Sequence, residues 1–354
     1  MSSERDTKRL TATPAKLPTI RQVADQSGVS RSTVSRVFGR PDIVNRDTVE
    51  KVRTVAKRLG YAPNHVARAL STGRTGNVAL IVPDITNPFF SALMRGAQAH
   101  ARHHGYAMFL GDSDETPEME DLVLTKLAAQ VDGFVLVSSR LPDHCIVKHA
   151  ARRPLVLVNR DVPHIPRLLI DTGSSYVVAV ERLAVLGHQA VAYVAGPLVS
   201  WSNRQRERAV MRAAGRLGLT VSRLRATKPT YEAGIACAEA LVRTGATAVL
   251  AFDDVTAQGI IAGLAIRGLS VPDDFSVVGC DGVLAAMMYP PLTSVTINCA
   301  QAGERAIELL LERLGPASPE GRRMILPTEL VVRASIAVPR ARYVPGSKND
   351  QNQP

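Results

Sequence analysis

From Asn77 onward, short uninterrupted apolar runs alternate with longer stretches of helical period, and this alternation restricts the fold more than any other feature of the chain. The runs are NVALIVP (77–83), YAMFLG (106–111), GFVLVSS (133–139) and PLVLVN (154–159), followed in a second series by AVAYVAG, TAVLAF and SVVGCD. Helices are expected near 88–104, 116–130 and 142–152, then near 174–187, 202–217, 231–244 and 255–268. Strands that are apolar on both faces need cover on both faces, as in parallel sheets wound with helices on either side. Two such series predict two doubly wound α/β lobes with a cleft between them, a common place for ligands.

The first 76 residues have a different character. They hold 15 Lys/Arg against 6 Asp/Glu, which is +9 of the net +11, while the remaining 278 residues balance 28 basic groups against 26 acidic ones. A compact basic head on a nearly neutral body fits a polyanionic partner. A solubilising basic tail would carry the same charge, so folding signals must separate the two. Residues 1–17 are polar and read as a flexible extension. Over 18–60 the pattern predicts three short helices. Thr19 caps the first, with Ile20, Val23 and Ala24 on one face; Gly28 permits a tight turn; Ser30 caps the second, with Val34 and Val37 inward. Asn45 caps the third, with Val49, Val52, Val55, Ala56 and Leu59 inward, and Gly60 ends it. Two helices joined by Gly28-Val29-Ser30 make a helix-turn-helix. Its second helix presents Arg31, Ser32, Thr33, Ser35 and Arg36 on the polar side, and arginine can read guanine in the major groove through two hydrogen bonds. A plain three-helix bundle with a solvated face is the alternative, but capping, turn and charge agree on the reader.

Composition excludes several classes. With 45% hydrophobic and 21% charged residues the chain can bury a core and is not globally disordered. No run of about 18 apolar residues is present and the N-terminus lacks an apolar signal stretch, so a cytoplasmic protein without membrane partners is expected. Cys145, Cys237, Cys280 and Cys299 are widely spaced, without CxxC or metal-ligand spacing, and read as reduced structural thiols. No GxxxxGK, HExxH, GxSxG or strand-to-helix GxGxxG occurs, so no catalytic residue, metal or cofactor is expected. His103-His104 and His188 read as surface or structural histidines.

The segment PTIRQVADQSGVSRSTVSRVFGRPDIVNRDTVEKVRTVAKRLGYAPNHVARALSTG closely resembles the head of the LacI/GalR (lactose-repressor type) family of bacterial regulators. NVALIVPDITNPFF, GHQAVAYVAGP, AFDDVTAQG, DDFSVVGCDG and PPLTSV continue the resemblance over residues 18 to about 338. It implies an α-helical helix-turn-helix head on an α/β core of two doubly wound parallel-sheet lobes, like periplasmic binding proteins. The implied divisions are 1–17, an extension; 18–62, the DNA-binding domain; 63–76, a hinge helix and linker; 77–340, the core; and 341–354, a disordered tail. Within the core, lobe 1 takes about 77–170 and 299–326, and lobe 2 about 171–298 and 327–340. Arg31, Ser32 and Arg36 fall where the family contacts base edges, and Thr19, Ser30, Thr33 and Ser35 where it contacts phosphates. Asn64, Ala67, Arg68 and Leu70 fall in the family's hinge helix, with Leu70 as the minor-groove wedge.

For the core, the resemblance implies effector contacts from Asn87, Phe89, Asn159, Arg160, Arg206, Asp253 and Asp281. An arginine fork opposite carboxylates suits hydroxyl-rich ligands. The chain also departs from the family pattern. Asp253-Asp254 stands where Asn-Asp is usual, Cys280 where an aromatic is usual, and aromatics are 4% of the chain. Because adjacent residues point apart, one aspartate of the pair should line the cleft and the other pack or cap. The implied protein is a repressor whose operator affinity is set by a sugar or sugar derivative. Its partners would be pseudo-palindromic double-stranded DNA and a second copy of the chain, since a two-fold dimer reads two half-sites. Activation or dual regulation with a non-sugar effector is the competing reading, and a pure ligand-binding module or a sugar-metabolising enzyme stands further off.

Overall fold

A computed structural model describes residues 18–62, 73–226, 228–315 and 321–340. The expected hinge residues Asn64, Ala67, Arg68 and Leu70, the N-terminal extension and the C-terminal tail lie outside the described residues. The chain divides into two compact units, Met1–Thr75 and Gly76–Pro354.

The first unit contains α1 (Ile20–Ser27), α2 (Arg31–Gly39) and α3 (Arg46–Leu59). Local chemistry sets their ends. Thr19 and Gln22 form a reciprocal capping box at α1, and Gly28 closes that helix at φ +66°. Ser30 Oγ accepts the Thr33 amide at 3.1 Å, and Asn45 Oδ1 accepts the Asp47 amide at 2.8 Å. Gly60 ends α3 at φ +67°. Val23, Ala24, Val34, Val37, Val52, Val55 and Ala56 bury into one small core.

The second unit holds two six-stranded sheets. In the first, β1 (Asn77–Val82), β2 (Ala107–Asp112), β3 (Gly133–Val137), β4 (Leu155–Val158), β5 (Arg167–Asp171) and β11 (Arg323–Pro327) run in the order β11-β5-β4-β3-β1-β2, all parallel. Strand β1 shows why its sequence is continuously apolar. Val78, Leu80 and Val82 pack under α4 (Pro88–His103) and α11 (Cys299–Leu314), whereas Ala79 and Ile81 pack under α5 (Pro117–Leu127) and α6 (Asp143–Ala150). Helices α4 and α11 cross so closely that a Cβ on Gly303 would lie 2.0 Å from the Leu93 carbonyl oxygen.

In the second sheet, β6 (Ala190–Ala195), β7 (Thr220–Arg225), β8 (Ala248–Ala251), β9 (Ser276–Asp281), β10 (Thr293–Thr296) and β12 (Glu329–Val331) run in the order β12-β10-β9-β8-β6-β7. One face is covered by α7 (Thr172–Val185) and α8 (Trp201–Leu217), the other by α9 (Tyr231–Arg243) and α10 (Asp254–Ala265). The sheet is not wholly parallel as expected from the runs: β12 pairs antiparallel with β10 at the edge. The chain passes between sheets after β5, after β10 and between β11 and β12. At these crossings Thr328 Oγ1 donates to the Asp171 carbonyl at 2.7 Å and lies 2.8 Å from Ser175 Oγ. Such short segments at element ends are where hinge rotation is absorbed.

Candidate nucleic-acid interface and effector cleft

On the head, the N-terminus of α2 gathers hydroxyls. Ser30 Oγ lies 2.7 Å from Ser32 Oγ and 2.9 Å from Thr33 Oγ1, beside the amides that open the helix. A helix N-terminus with hydroxyls around it suits a phosphate oxygen. Val34 and Val37 are fully buried, so the helix is pinned by one face and turns the other outward. Arg31, Ser32, Ser35 and Arg36 are exposed on it, Thr33 is half-buried, and Thr19 is exposed at the start of α1. The seven residues expected to meet base edges and phosphates thus stand around α2 and the start of α1, and none is used up in the core of the unit.

In the second unit a narrow cavity lies where strands of both sheets end. Asn87, Phe89, Phe90, Glu115, Ser138, Arg140 and Asn159 line it from the first lobe, and Ser200, Ser202, Arg206, Pro229, Phe252, Asp253 and Asp281 from the second. Six of the seven expected effector residues are here. Arg160 is not. Its guanidinium turns away to the Leu141 carbonyl at 2.8 Å and Asp143 at 2.7 Å, and reaches the Val199 carbonyl at 3.4 Å. The residue before it, Asn159, sits at φ +54° with its Oδ1 accepting the Ile170 amide at 3.0 Å.

Left-handed backbone concentrates at this cavity. Among the described residues six non-glycine positions have positive φ, and four of them line the cavity: Glu115 (+58°), Ser138 (+50°), Asn159 (+54°) and Asp281 (+105°). Such conformations cost on the order of 1–3 kcal/mol each and persist where the surroundings impose them, typically at ligand sites.

Arg206 organises the second-lobe wall. Its Nε donates to Thr172 Oγ1 at 3.0 Å, its Nη1 donates to the Phe252 carbonyl, and its Nη2 lies 3.6 Å from Asp281 Oδ1. The guanidinium stacks over the Phe252 ring at 4.8 Å and stands 6.0 Å from the Tyr176 ring centre. Burial opposes its charge, but Cys280, Tyr176 and Asp281 together raise its pKa, so it stays a cation. Three of the chain's seven phenylalanines line the cavity, which makes it more aromatic than the low overall content suggested.

The Asp253-Asp254 pair divides as adjacent residues should. Asp253 caps α10 by accepting the Thr256 amide at 2.8 Å and also lines the cavity, where Asn87 Nδ2 donates to it at 3.0 Å across the two lobes. Asp254 faces away and accepts Ser294 Oγ at 2.6 Å, while its Oδ2 has no partner. Burial pushes Asp253 up and Asp281 well up from the usual carboxylate range; Arg206 pulls both back down. Asp254 is pushed up to about 7, first by burial and then by Asp253, with Ser294 opposing. Lys228 and Asp114, 3.2 Å apart, add an exposed contact between the lobes, and the lobes stand close: about 30 Å³ is open to the centre of a water molecule, room for one or two waters.

Sequence reasoning missed Glu115 and Arg140. Arg140 donates to Glu115 through Nε at 2.5 Å and Nη2 at 2.9 Å, and through Nη1 to the Ser138 carbonyl at 2.7 Å. The signal available was position, since both follow the carboxyl ends of parallel strands. His188, by contrast, is structural: it is buried between Thr247, Ser276 and the Ala337 carbonyl. Among the described residues no group of three or more His, Cys, Asp or Glu could hold a metal ion, and no helix is long and apolar enough to cross a membrane.

Comparison with known proteins agrees with both units. Residues 19–64 match the family described as bacterial regulatory proteins, lacI family, and residues 180–336 match a periplasmic binding protein-like domain. The HTH-type transcriptional repressor CytR of Escherichia coli K12 is 32% identical over 329 residues, 90% of this chain and 96% of the relative. The chain belongs to the LacI family of bacterial regulatory proteins. The lac repressor dimer bound to operator and the anti-inducer ONPF has the same fold, with a TM-score of 0.82 and 26% identity over 91% of this chain and all of that one. A complex of the transcriptional regulator CelR with cellobiose gives a TM-score of 0.68 and 29% identity, covering 90% of this chain and 99% of the other. As a LacI-family member this chain is a DNA-binding transcription regulator with a ligand-binding core, and the relatives are regulators rather than enzymes.

Proposed function

We propose that the protein is a repressor that holds a pseudo-palindromic operator as a homodimer and is switched by a sugar or sugar derivative bound between the two core lobes. The observation that carries this reading is the cavity itself: an arginine fork opposed by carboxylates, bridged lobe to lobe by Asn87 and Asp253, on a chain that also bears a helix-turn-helix. Arg31, Ser32 and Arg36 read base edges, while Thr19, Ser30, Thr33 and Ser35 hold phosphates and fix the register. Asn64, Ala67, Arg68 and Leu70 join head to core, with Leu70 entering the minor groove. Asn87, Phe89, Asn159, Arg206, Asp253 and Asp281 contact the effector directly, and Arg160 holds the loop behind Asn159. Closure of the lobes on the ligand shifts operator affinity by a coupling of about 1–3 kcal/mol. The likeness to regulators solved with ONPF and with cellobiose supports the effector class.

Selection of bound DNA from a random pool by the full chain tests the proposal. A dyad-symmetric consensus is expected, with Arg31→Ala relaxing preference at one position per half-site by about 1–3 kcal/mol. No preference for any dyad-symmetric duplex over scrambled DNA, with or without sugars, overturns it.

A further inference from the structure

We infer that the cleft is built for a hydroxyl-bearing ligand that also carries a protonated amine, and that neutral sugars and phosphate esters of the same skeleton are poorer occupants. The inference rests on reading the cleft as the effector site and comes from counting its charges wall by wall. On the first-lobe wall Glu115 and Arg140 neutralise each other through two parallel hydrogen bonds, and both side chains are buried, 9% and 3% exposed. This wall presents no net charge.

The second-lobe wall is short of positive charge. Asp253 and Asp281 line it with Arg206 as the cation that faces both, and Asp254 lies behind them with Arg333 as the cation acting on it. Arg206 has already committed donors to Thr172 and the Phe252 carbonyl. Its approach to Asp281, at 3.6 Å, is beyond hydrogen-bond distance, so the Asp281 carboxyl keeps acceptor capacity toward the cavity. With Glu115, Asp253 and Asp281 all ionised against Arg140 and Arg206, the lining carries one negative charge in excess, and it is this ionisation that burial opposes and an added cation in the cleft would favour. A buried carboxylate without a cation costs much more than one with a charge-assisted partner. An ammonium group supplies that partner, whereas a phosphate or carboxylate adds to the excess.

The aromatic lining favours the same class. Phe252 already has a cation over its ring, and Phe89 and Phe90 stand edge to face at 5.0 Å on the opposite wall, where a second cation gains from a ring face. Ser138, Asn159, Ser200 and Ser202 provide neutral polar groups for ligand hydroxyls. A bare alkylamine would leave these unmatched.

The test is calorimetric titration of the full chain with matched sets: glucose, glucosamine and glucose 6-phosphate, and the corresponding galactose and mannose sets. In whichever set binds, the amine is expected to bind at least tenfold more tightly than its neutral counterpart, and the phosphate more weakly than either. Asp281→Asn, nearly isosteric, should bring the amine-to-neutral ratio within threefold. Glu115→Gln, on the other wall, should lower the same ratio, which guards against a misfolded Asp281 variant. Equal or tighter binding of the neutral sugar, or tightest binding of the phosphate, overturns the charge inference and leaves the effector site standing. Sugar binding that Arg206→Ala leaves unchanged, or no binding from any set together with unmoved operator affinity, overturns the cleft as effector site and this inference with it.

Discussion

Asp254 offers a direct measurement of how far the core has buried its acids. Its carboxyl is 3% exposed as a residue, accepts one hydrogen bond from Ser294 and has an unpartnered second oxygen. In the folded protein its pKa is about 7, against 3.8 unperturbed, because burial and then Asp253 disfavour the charge. Between those values the native state holds a proton that the unfolded state has released. Stability therefore falls as pH rises from 3.8 toward 7, at up to about 1.4 kcal/mol per pH unit, and levels above. The full span is at most about 4 kcal/mol. Asp254→Asn removes the titration and leaves a constant cost of about 1–3 kcal/mol for an amide poorly matched to its site. The variant should thus be less stable than the parent at pH 4 and comparable or more stable at pH 8. The relevant number is the change in its effect between the two pH values, about 4 kcal/mol, or roughly 8–16 °C in the melting temperature of a unit of this size. Thermal and urea unfolding of parent and variant at pH 4, 6 and 8 would measure it. A destabilisation that is the same at all three pH values would refute the account, because Asp254 would then be an ordinary ionised carboxylate in the fold.

Ser30→Ala should lower the stability of the head by about 1 kcal/mol by uncapping α2, read as a lower melting temperature of the isolated transition or by hydrogen exchange at Thr33. Asn87→Ala removes the buried lobe-to-lobe donor to Asp253 and should weaken effector binding about tenfold or more, at roughly 1.5–3 kcal/mol, while leaving affinity for DNA without effector nearly unchanged. Burial lowers the pKa of His188 below 6.5, with the Ala337 carbonyl opposing; the unfolded state binds the proton more readily, so stability from this site is lost as pH falls below 6.5. Its imidazole resonances should accordingly titrate below the ordinary histidine value, and a normal midpoint would refute the buried neutral ring. Lys228→Ala breaks an exposed pair and should change stability by less than about 1 kcal/mol.

What could be read from the chain depended on whether local chemistry or distant pairing made the feature. Helices α1, α2 and α3 were legible to within a residue because Thr19, Ser30 and Asn45 cap them and Gly28 and Gly60 end them. The central strands were legible because burial on both faces forces an unbroken apolar run, as in β1 and β3. Strands at or near the edges were not, apart from β2, whose run 106–111 was legible. In β7 the burial alternates weakly, β11 has every second residue exposed, and β12 is three residues long. Strand β10 is buried yet reads TSVT, since the Thr293 amide donates to Ser335 Oγ and Ser294 donates to Asp254, partners 42 and 40 residues away. No window of sequence carries that information, and none carries the antiparallel sense of β12.

The cleft shows the same division within a single site. Arg206, Asp253, Asp281 and Asn87 were expected because each stands in a segment that resembles the family, and the structure adds that Asn87 caps the helix it precedes. Glu115 and Arg140 are 25 residues apart and follow different strands, so their pairing exists only once β2 and β3 lie in one sheet. Arg160 failed for the opposite reason. It adjoins Asn159 in sequence, but its guanidinium is held by Asp143 and the Leu141 carbonyl instead of lining the cavity. Glu115, Ser138, Asn159 and Asp281 all share a left-handed backbone without being glycine. Strain of this kind has only a weak sequence signature, the tolerance of Asn and Asp for positive φ, because side chains and strand ends impose it from outside. It nevertheless marks residues that the fold holds in place at the cavity.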